Sequence, residues 1–206
     1  EEAVKEFGPE INKGGNEILN NADDASLRRF RMAQSCTGEY ANYFGATSSA
    51  QVALVMAAFN ATYTRVNGIF EMDFNATMVL VAQTTNVIYY NPATDPYSPS
   101  ASMANWNVEL QNNLSSNLTG PSTSLAANNA AYDIGHLFGA DGGGGNAGCI
   151  GCICTNDTAS TTDENKGAGI TSPADATPEG DFFDVDYVAH EIGHQIGGNH
   201  TWTFGG

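Results

Sequence analysis

Residues 190–200 read His190-Glu191-Ile192-Gly193-His194-Gln195-Ile196-Gly197-Gly198-Asn199-His200. Val185, Val188, Ile192 and Ile196 recur at the spacing of one helical face, and Asp184 precedes them as a plausible cap. On such a helix His190 and His194 stand one turn apart and project from one side. Gly197 and Gly198 supply the break that ends it, one of them in a left-handed conformation. The chain can then turn back, so that His200 approaches the same point from a new direction. Continued as a helix, it would carry His200 to roughly the opposite face from His194. Three imidazoles at ~2.0 Å suit a tetrahedral zinc with one position open to water, the arrangement of a catalytic rather than a structural ion. Glu191 adjoins His190 without being a ligand. It can take a proton from zinc-bound water and pass it to a leaving amine.

Working outward, the 206 residues carry 23 acidic and 7 basic side chains, a formal charge of −16. That balance excludes a nucleic-acid binder and an anionic membrane surface. No apolar run approaches the ~20 residues of a membrane span. Leu, Ile, Val and Phe make up just under a fifth of the chain, close to the composition of disordered proteins. The 8 Tyr, 10 Phe and 2 Trp and the periodic apolar residues nevertheless supply a core. The length fits one domain. The acid excess fits a secreted protein and allows calcium binding, although no continuous Asp-x-Asn-x-Asp-Gly loop is present. The chain starts at Glu1 without a signal peptide and stops soon after His200, so both ends read as cuts.

Residues 1–25, broken by Gly8-Pro9 and Gly14-Gly15, read as a lead-in segment to a domain over 26–206. Leu27 to Cys36 reads as a strand. Ser48 to Ile69 reads as a helix, with Val52, Val55, Met56, Phe59, Tyr63 and Val66 on its buried face and Asn67-Gly68 as its stop. Met78 to Val81 is a short strand that Asn86 to Tyr90 extends. Asn91 to Ser100, with three prolines, is loop. Trp106, Leu110, Leu114 and Leu118 mark a second helix, ended by Gly120-Pro121. Tyr132 to Phe138 and Gly167 to Thr171 are further strands. The Gly-rich run over 141–151 lacks the Lys-Ser or Lys-Thr of a phosphate loop; its glycines let another backbone approach closely, as at a sheet edge. The order of elements indicates an α/β or α+β sandwich around one sheet. His136 stands in an unexceptional context that favours a core or surface role. Asn-X-Ser/Thr triplets are frequent because Asn and Thr are abundant, and carry no inference. Cys36, Cys149, Cys152 and Cys154 allow three full disulfide pairings; Cys152 and Cys154 are too close in sequence for an easy mutual bridge.

The eleven-residue histidine pattern resembles that of the metzincin clan of zinc peptidases. Thr201-Trp202-Thr203-Phe204 and Asp186-Tyr187-Val188-Ala189 around it resemble the bacterial reprolysin-like group, related to the adamalysins and ADAM ectodomains. Thr37-Gly38-Glu39-Tyr40, Arg65-Val66-Asn67-Gly68, Tyr132-Asp133-Ile134-Gly135-His136-Leu137-Phe138 and Lys166-Gly167-Ala168-Gly169 are similar to recurring stretches of that group. The resemblance implies a twisted, mostly parallel five-stranded sheet with one antiparallel edge strand and long helices, including the active-site helix. It implies zinc ligands at His190, His194 and His200 and a general base at Glu191. It also implies an edge strand at Ala147 to Ile153 that pairs with an extended peptide. Gly145, Ala147, Gly148, Cys149 and Ile150 are then substrate-binding. The Met-containing turn of the clan has no counterpart after His200, the last methionine being Met103. A C-terminal fragment of the same protein is therefore one conceivable partner. The resemblance places Cys154 near a position that in the adamalysins bridges to a cysteine further along the chain, whereas Cys36 has no adamalysin counterpart; Cys36–Cys154 is the leading internal pair.

These readings imply a secreted zinc endopeptidase that cuts extended peptides internally, with an apolar side chain preferred after the scissile bond. The alternatives are a noncatalytic peptide- or partner-binding fragment of the same fold, favoured by the absent Met-turn, and a calcium-stabilised adhesion module.

Overall fold

The structure is a computed structural model that describes residues 26–173 and 175–200. The expected lead-in segment and the stretch Thr201 to Phe204 lie outside the described residues.

Five strands form one sheet: β1 (Arg28–Cys36), β2 (Ala76–Leu80), β3 (Ile134–Phe138), β4 (Gly144–Asn146) and β5 (Gly169–Ser172). Their order is β2-β1-β3-β5-β4. The first four run parallel, and β4 lies antiparallel to β5 with Gly145 opposite Thr171. Parallel neighbours need crossovers, which the helices provide. These are α1 (Gly38–Tyr43), α2 (Val52–Asp73), α3 (Trp106–Asn117) and α4 (Leu125–Ala131). A last helical stretch comprises α5 (Asp181–Phe183), a π-helical segment (Asp184–Ala189) and α6 (His190–Gln195). The fold is the mostly parallel α/β sandwich with an antiparallel edge that the sequence leads one to expect.

Strand alternation divides the core into two layers. On one face Met32, Cys36, Ile134 and Phe138 pack against Val55, Phe59, Tyr63, Val66 and Phe70 of α2 and against Phe183, Val188 and Ile192 of the last helical stretch. On the other face Ala33, Leu137 and Ile170 meet Trp106, Leu110 and Leu114 of α3, together with Leu118. Each fully buried large side chain contributes roughly 1.5–3 kcal/mol relative to exposure. The sheet therefore has α2 and α6 on one side and α3 on the other.

Local differences from the sequence expectation have specific causes. Asn67-Gly68 does not stop α2, which runs to Asp73. Phe70 is buried, and the Asn67 amide donates to the Met78 carbonyl (2.9 Å) and accepts from its N–H (2.8 Å). Asn86 to Tyr90 does not extend β2. Ala82–Val87 is a 3-10 turn, and only Ile88 bridges to β1, at Cys36. The Thr84 hydroxyl there accepts from the Gln34 backbone N–H (3.2 Å), replacing a ladder bond. Asp184 is not a cap, because Gly180 holds that position and the helical backbone begins three residues before Asp184. Instead Asp184 is buried and accepts a hydrogen bond from Thr62 Oγ1 (2.7 Å), tying the segment to α2. The edge strand is Gly144–Asn146 rather than Ala147 to Ile153. After Asn146 its side chain accepts from the Gly148 N–H (2.6 Å), and Gly148 and Gly151 take positive φ angles of 69° and 74°, so the chain coils away from the sheet.

Candidate metal centre

Three features of local sequence bring the histidines together. His190 and His194 lie one turn apart on α6, and their Nε2 atoms are 3.0 Å apart. The helix then ends in a Schellman turn. The Gly198 N–H bonds to the Gly193 carbonyl (2.9 Å), the Gly197 N–H to the His194 carbonyl (2.9 Å), and Gly197 has a φ of +114°. The reversed chain carries His200 back, so that its Nε2 lies 3.2 Å from that of His190 and 3.1 Å from that of His194. Nitrogens at tetrahedral positions around a zinc ion would be separated by about 3.3 Å. Among the described residues these three histidines are the one group of metal-ligating side chains placed this closely.

The donor chemistry agrees. His194 Nδ1 lies 2.6 Å from the Gly198 carbonyl, an acceptor, so Nδ1 carries the proton. The Nε2 lone pair is thereby left facing the other two imidazoles, as a metal ligand requires. Glu191 is buried, and its carboxyl group lies against Gly145 of β4. A β-carbon at Gly145 would collide with Cγ, Cδ and Oε1 of Glu191. The edge strand and this carboxylate are thus in direct contact, and only glycine permits it.

Residues 27–206 match the model of the metallopeptidase family M12B, reprolysin-like. The chain belongs to that family. Among curated proteins, none matches it. Peptidases of this family act on peptides or proteins and depend on zinc, and the three histidines fit that ion.

In this reprolysin-like domain a cleft of about 950 Å³ runs along β4. His194 opens into it, with Gly145, Ala147, Gly148, Cys149 and Ile150 on its wall and Asn107, Met103 and Ile170 nearby. The wall after Asn146 is a loop, not a strand. Asn107 of α3 holds its base, donating to the carbonyls of Asn146 (3.2 Å) and Ala168 (2.6 Å). A second cavity of about 630 Å³ lies near the start of β3. Its cations are engaged: Arg31 pairs with Asp133 (2.7 Å), and Lys166 Nζ donates to Asn129 O (2.6 Å), Tyr132 O (2.8 Å) and Asn156 Oδ1 (2.7 Å).

The disulfide differs from the expected Cys36–Cys154. Cys149 and Cys152 are bridged, Cys36 is free and buried, and Cys154 is free and exposed. The sheet explains this. Cys36 pairs with Phe138 at one end of β3, whereas the Cys154 N–H bonds to Asp133 just before its other end. Five residues of strand separate those points by about 16 Å, and a disulfide spans at most about 7 Å between Cα atoms. Burial pushes the Cys36 thiol well above its ordinary range.

Sequence reasoning gave His136 a core or surface role and passed over Gln195, which bonds to it beneath α6. His136 is fully buried, and burial lowers its pKa to about 4 despite the Gln195 hydrogen bond. Gln195 carried no metal-ligand or acid–base signal of its own. A buried histidine on the middle strand and an amide directly after a ligand were the available clues.

Proposed function

We propose that this protein is a secreted, zinc-dependent endopeptidase with His190, His194 and His200 as ligands and Glu191 as the general base. The convergence of the three Nε2 atoms within 3.0–3.2 Å of one another, beside the helix whose Glu191 abuts the edge strand, carries this reading. Zinc, when bound, supplies Lewis-acid polarisation of the scissile carbonyl and acidification of the attacking water.

The chain's own residues do the rest. The outer edge of β4 pairs with no further strand among the described residues, so it can take an extended peptide, and Gly144 and Gly145 put no side chain in its way. Such pairing fixes the substrate by its backbone, which suits internal cleavage of polypeptides. Glu191 takes the proton from the attacking water and delivers it to the amine nitrogen as the C–N bond breaks. The Cys149–Cys152 disulfide supports secretion, because such bonds persist in oxidising compartments.

The test is Glu191→Gln. It retains the size of the side chain and leaves the three ligands untouched, so zinc content should be unchanged. Turnover of a peptide substrate should fall roughly 10²–10⁴-fold, with kcat affected more than KM. Near-normal turnover with zinc in place would assign the base to another residue.

A further inference from the structure

Beneath α6 the sheet presents a run of directed hydrogen bonds. Gln195 Nε2 donates to the Gly135 carbonyl (2.9 Å), which orients the amide and leaves Oε1 facing His136. Oε1 can only accept, so His136 donates from Nδ1 across 2.8 Å. The ring then has Nε2 as an acceptor, and the Thr171 hydroxyl supplies the proton at 2.8 Å. Gly135 and His136 belong to β3, Thr171 to β5 and Gln195 to α6. His136, Thr171 and Gln195 are all buried. Gly169 makes the space: a β-carbon there would strike Gln195 Oε1 and His136 Nδ1.

The position of this run gives it meaning. Gln195 directly follows His194 and comes two residues before the Gly197 turn that returns His200. The helix segment α6 has only six residues and follows a π-helical segment, so intrinsic propensity does not fix where it lies. Ile192 and the following Ile196 anchor it by apolar packing, and at its C-terminal end the His194 and Gln195 carbonyls accept from the Gly151 and Ile153 N–H groups. The apolar packing is non-directional and by itself leaves rotation and sliding open. A fully satisfied buried polar chain admits one arrangement, because every other one strands a donor or acceptor.

We propose that His136, supported by Thr171, is a positioning residue that acts through Gln195 to set α6 over the sheet and so orients His194 and the return of His200 for zinc. This rests on the assignment of the three histidines as ligands.

The experiment measures zinc affinity by chelator competition, and the absorption spectrum of the cobalt(II)-substituted protein, for the parent chain and for His136→Leu, His136→Asn and Gln195→Met. Thermal midpoints of the zinc-free proteins are recorded alongside. His136→Leu and Gln195→Met should each weaken zinc binding about tenfold or more and alter the cobalt spectrum. His136→Asn, whose amide N–H can replace the Nδ1 donor, should restore most of the affinity. A merely structural histidine would lower the midpoint and leave the zinc affinity of the folded protein alone. Folded Gln195→Met with parental affinity would overturn the proposal. So would His136→Asn binding as weakly as His136→Leu. If His136→Leu fails to fold, Gln195→Met decides. Failure of the parent chain itself to bind zinc would overturn the ligand assignment, an outcome distinguishable from failure of His136 alone.

Discussion

The two walls of the cleft are built by different means. On one side α6 and the segments before it are held by side chains. Ile192, Val188 and Phe183 enter the core, Thr62 bonds to Asp184, Arg65 pairs with Asp181 (2.6 Å), and Gln195 reaches His136 and Gly135. On the other side β4 pairs with β5 over three residues, and the loop beyond it is held by backbone groups, the Asn107 and Asn146 amides and one disulfide. A metal site needs its donors within a fraction of an ångström, which locked side chains provide. A wall that receives an extended chain needs exposed backbone and room. The two walls meet at Gly145 and Glu191.

That meeting point is where the comparison breaks most easily. Gly145→Val would drive the Glu191 carboxyl group from its place without touching the histidines. Turnover should fall by about 10³-fold, within the range for losing a positioned base, while zinc content stays at the parental level. Loss of zinc together with activity would show that the walls are not separable.

The helix-bearing wall should also carry an acid sensitivity of its own. His136 has a folded pKa of about 4 against an ordinary 6.5. The unfolded chain therefore binds the extra proton between those values, and stability falls as pH drops from 6.5 through about 4. At 1.36 kcal/mol per unit the loss amounts to about 3 kcal/mol. Urea unfolding of the zinc-free protein at pH 7 and pH 4.5 should reveal most of it, and His136→Asn should flatten that part of the profile. An unchanged profile in the variant would place the acid sensitivity elsewhere.

The same contrast separates what the sequence makes legible from what it does not. Periodicity is local, so the apolar stripe of α2 and the spacing of four in α3 can be read directly. The histidine pattern is legible because a helix, a glycine reversal and three ligands each leave a mark at fixed spacing. The edge wall is harder to read. Glycine runs allow many backbone paths, and whether β4 ends at Asn146 or continues depends on an Asx turn and a disulfide closing beyond it. The Cys36–Cys154 expectation failed because distance along β3 is a property of register, which cysteine counting does not contain. The His136–Gln195 contact joins residues 59 apart in sequence, and neither alone signals the other.

A smaller effect is expected at the turn. Gly197 holds a φ of +114°, where an L side chain is strained. Gly197→Ala should cost about 1–2 kcal/mol, seen as a lower thermal midpoint, and should weaken zinc binding because His200 lies three residues further on. Zinc affinity equal to that of the parent would mean that His200 is held by contacts other than this turn.

The smallest change in zinc handling should come from the loop beyond β4. The loop over 147–153, which the Cys149–Cys152 bridge ties, donates two backbone bonds to the end of α6, from Gly151 N to His194 O (3.0 Å) and from Ile153 N to Gln195 O (3.3 Å). Those carbonyls lie at a helix C-terminus, where water can replace a lost donor, and His194 O keeps its bond from Gly197. The double substitution Cys149→Ser and Cys152→Ser should therefore leave zinc affinity within about twofold, since each such bond is worth only about 1 kcal/mol net and solvent compensates. Ala147, Gly148 and Ile150 line the cleft from that loop, so freeing it should raise KM for an extended peptide while kcat changes little. Chelator competition and steady-state kinetics on the same preparation separate the two effects. A drop in zinc affinity as large as the loss in kcat/KM would mean that the disulfide loop belongs to the metal-holding wall and that the division between the two walls is drawn in the wrong place.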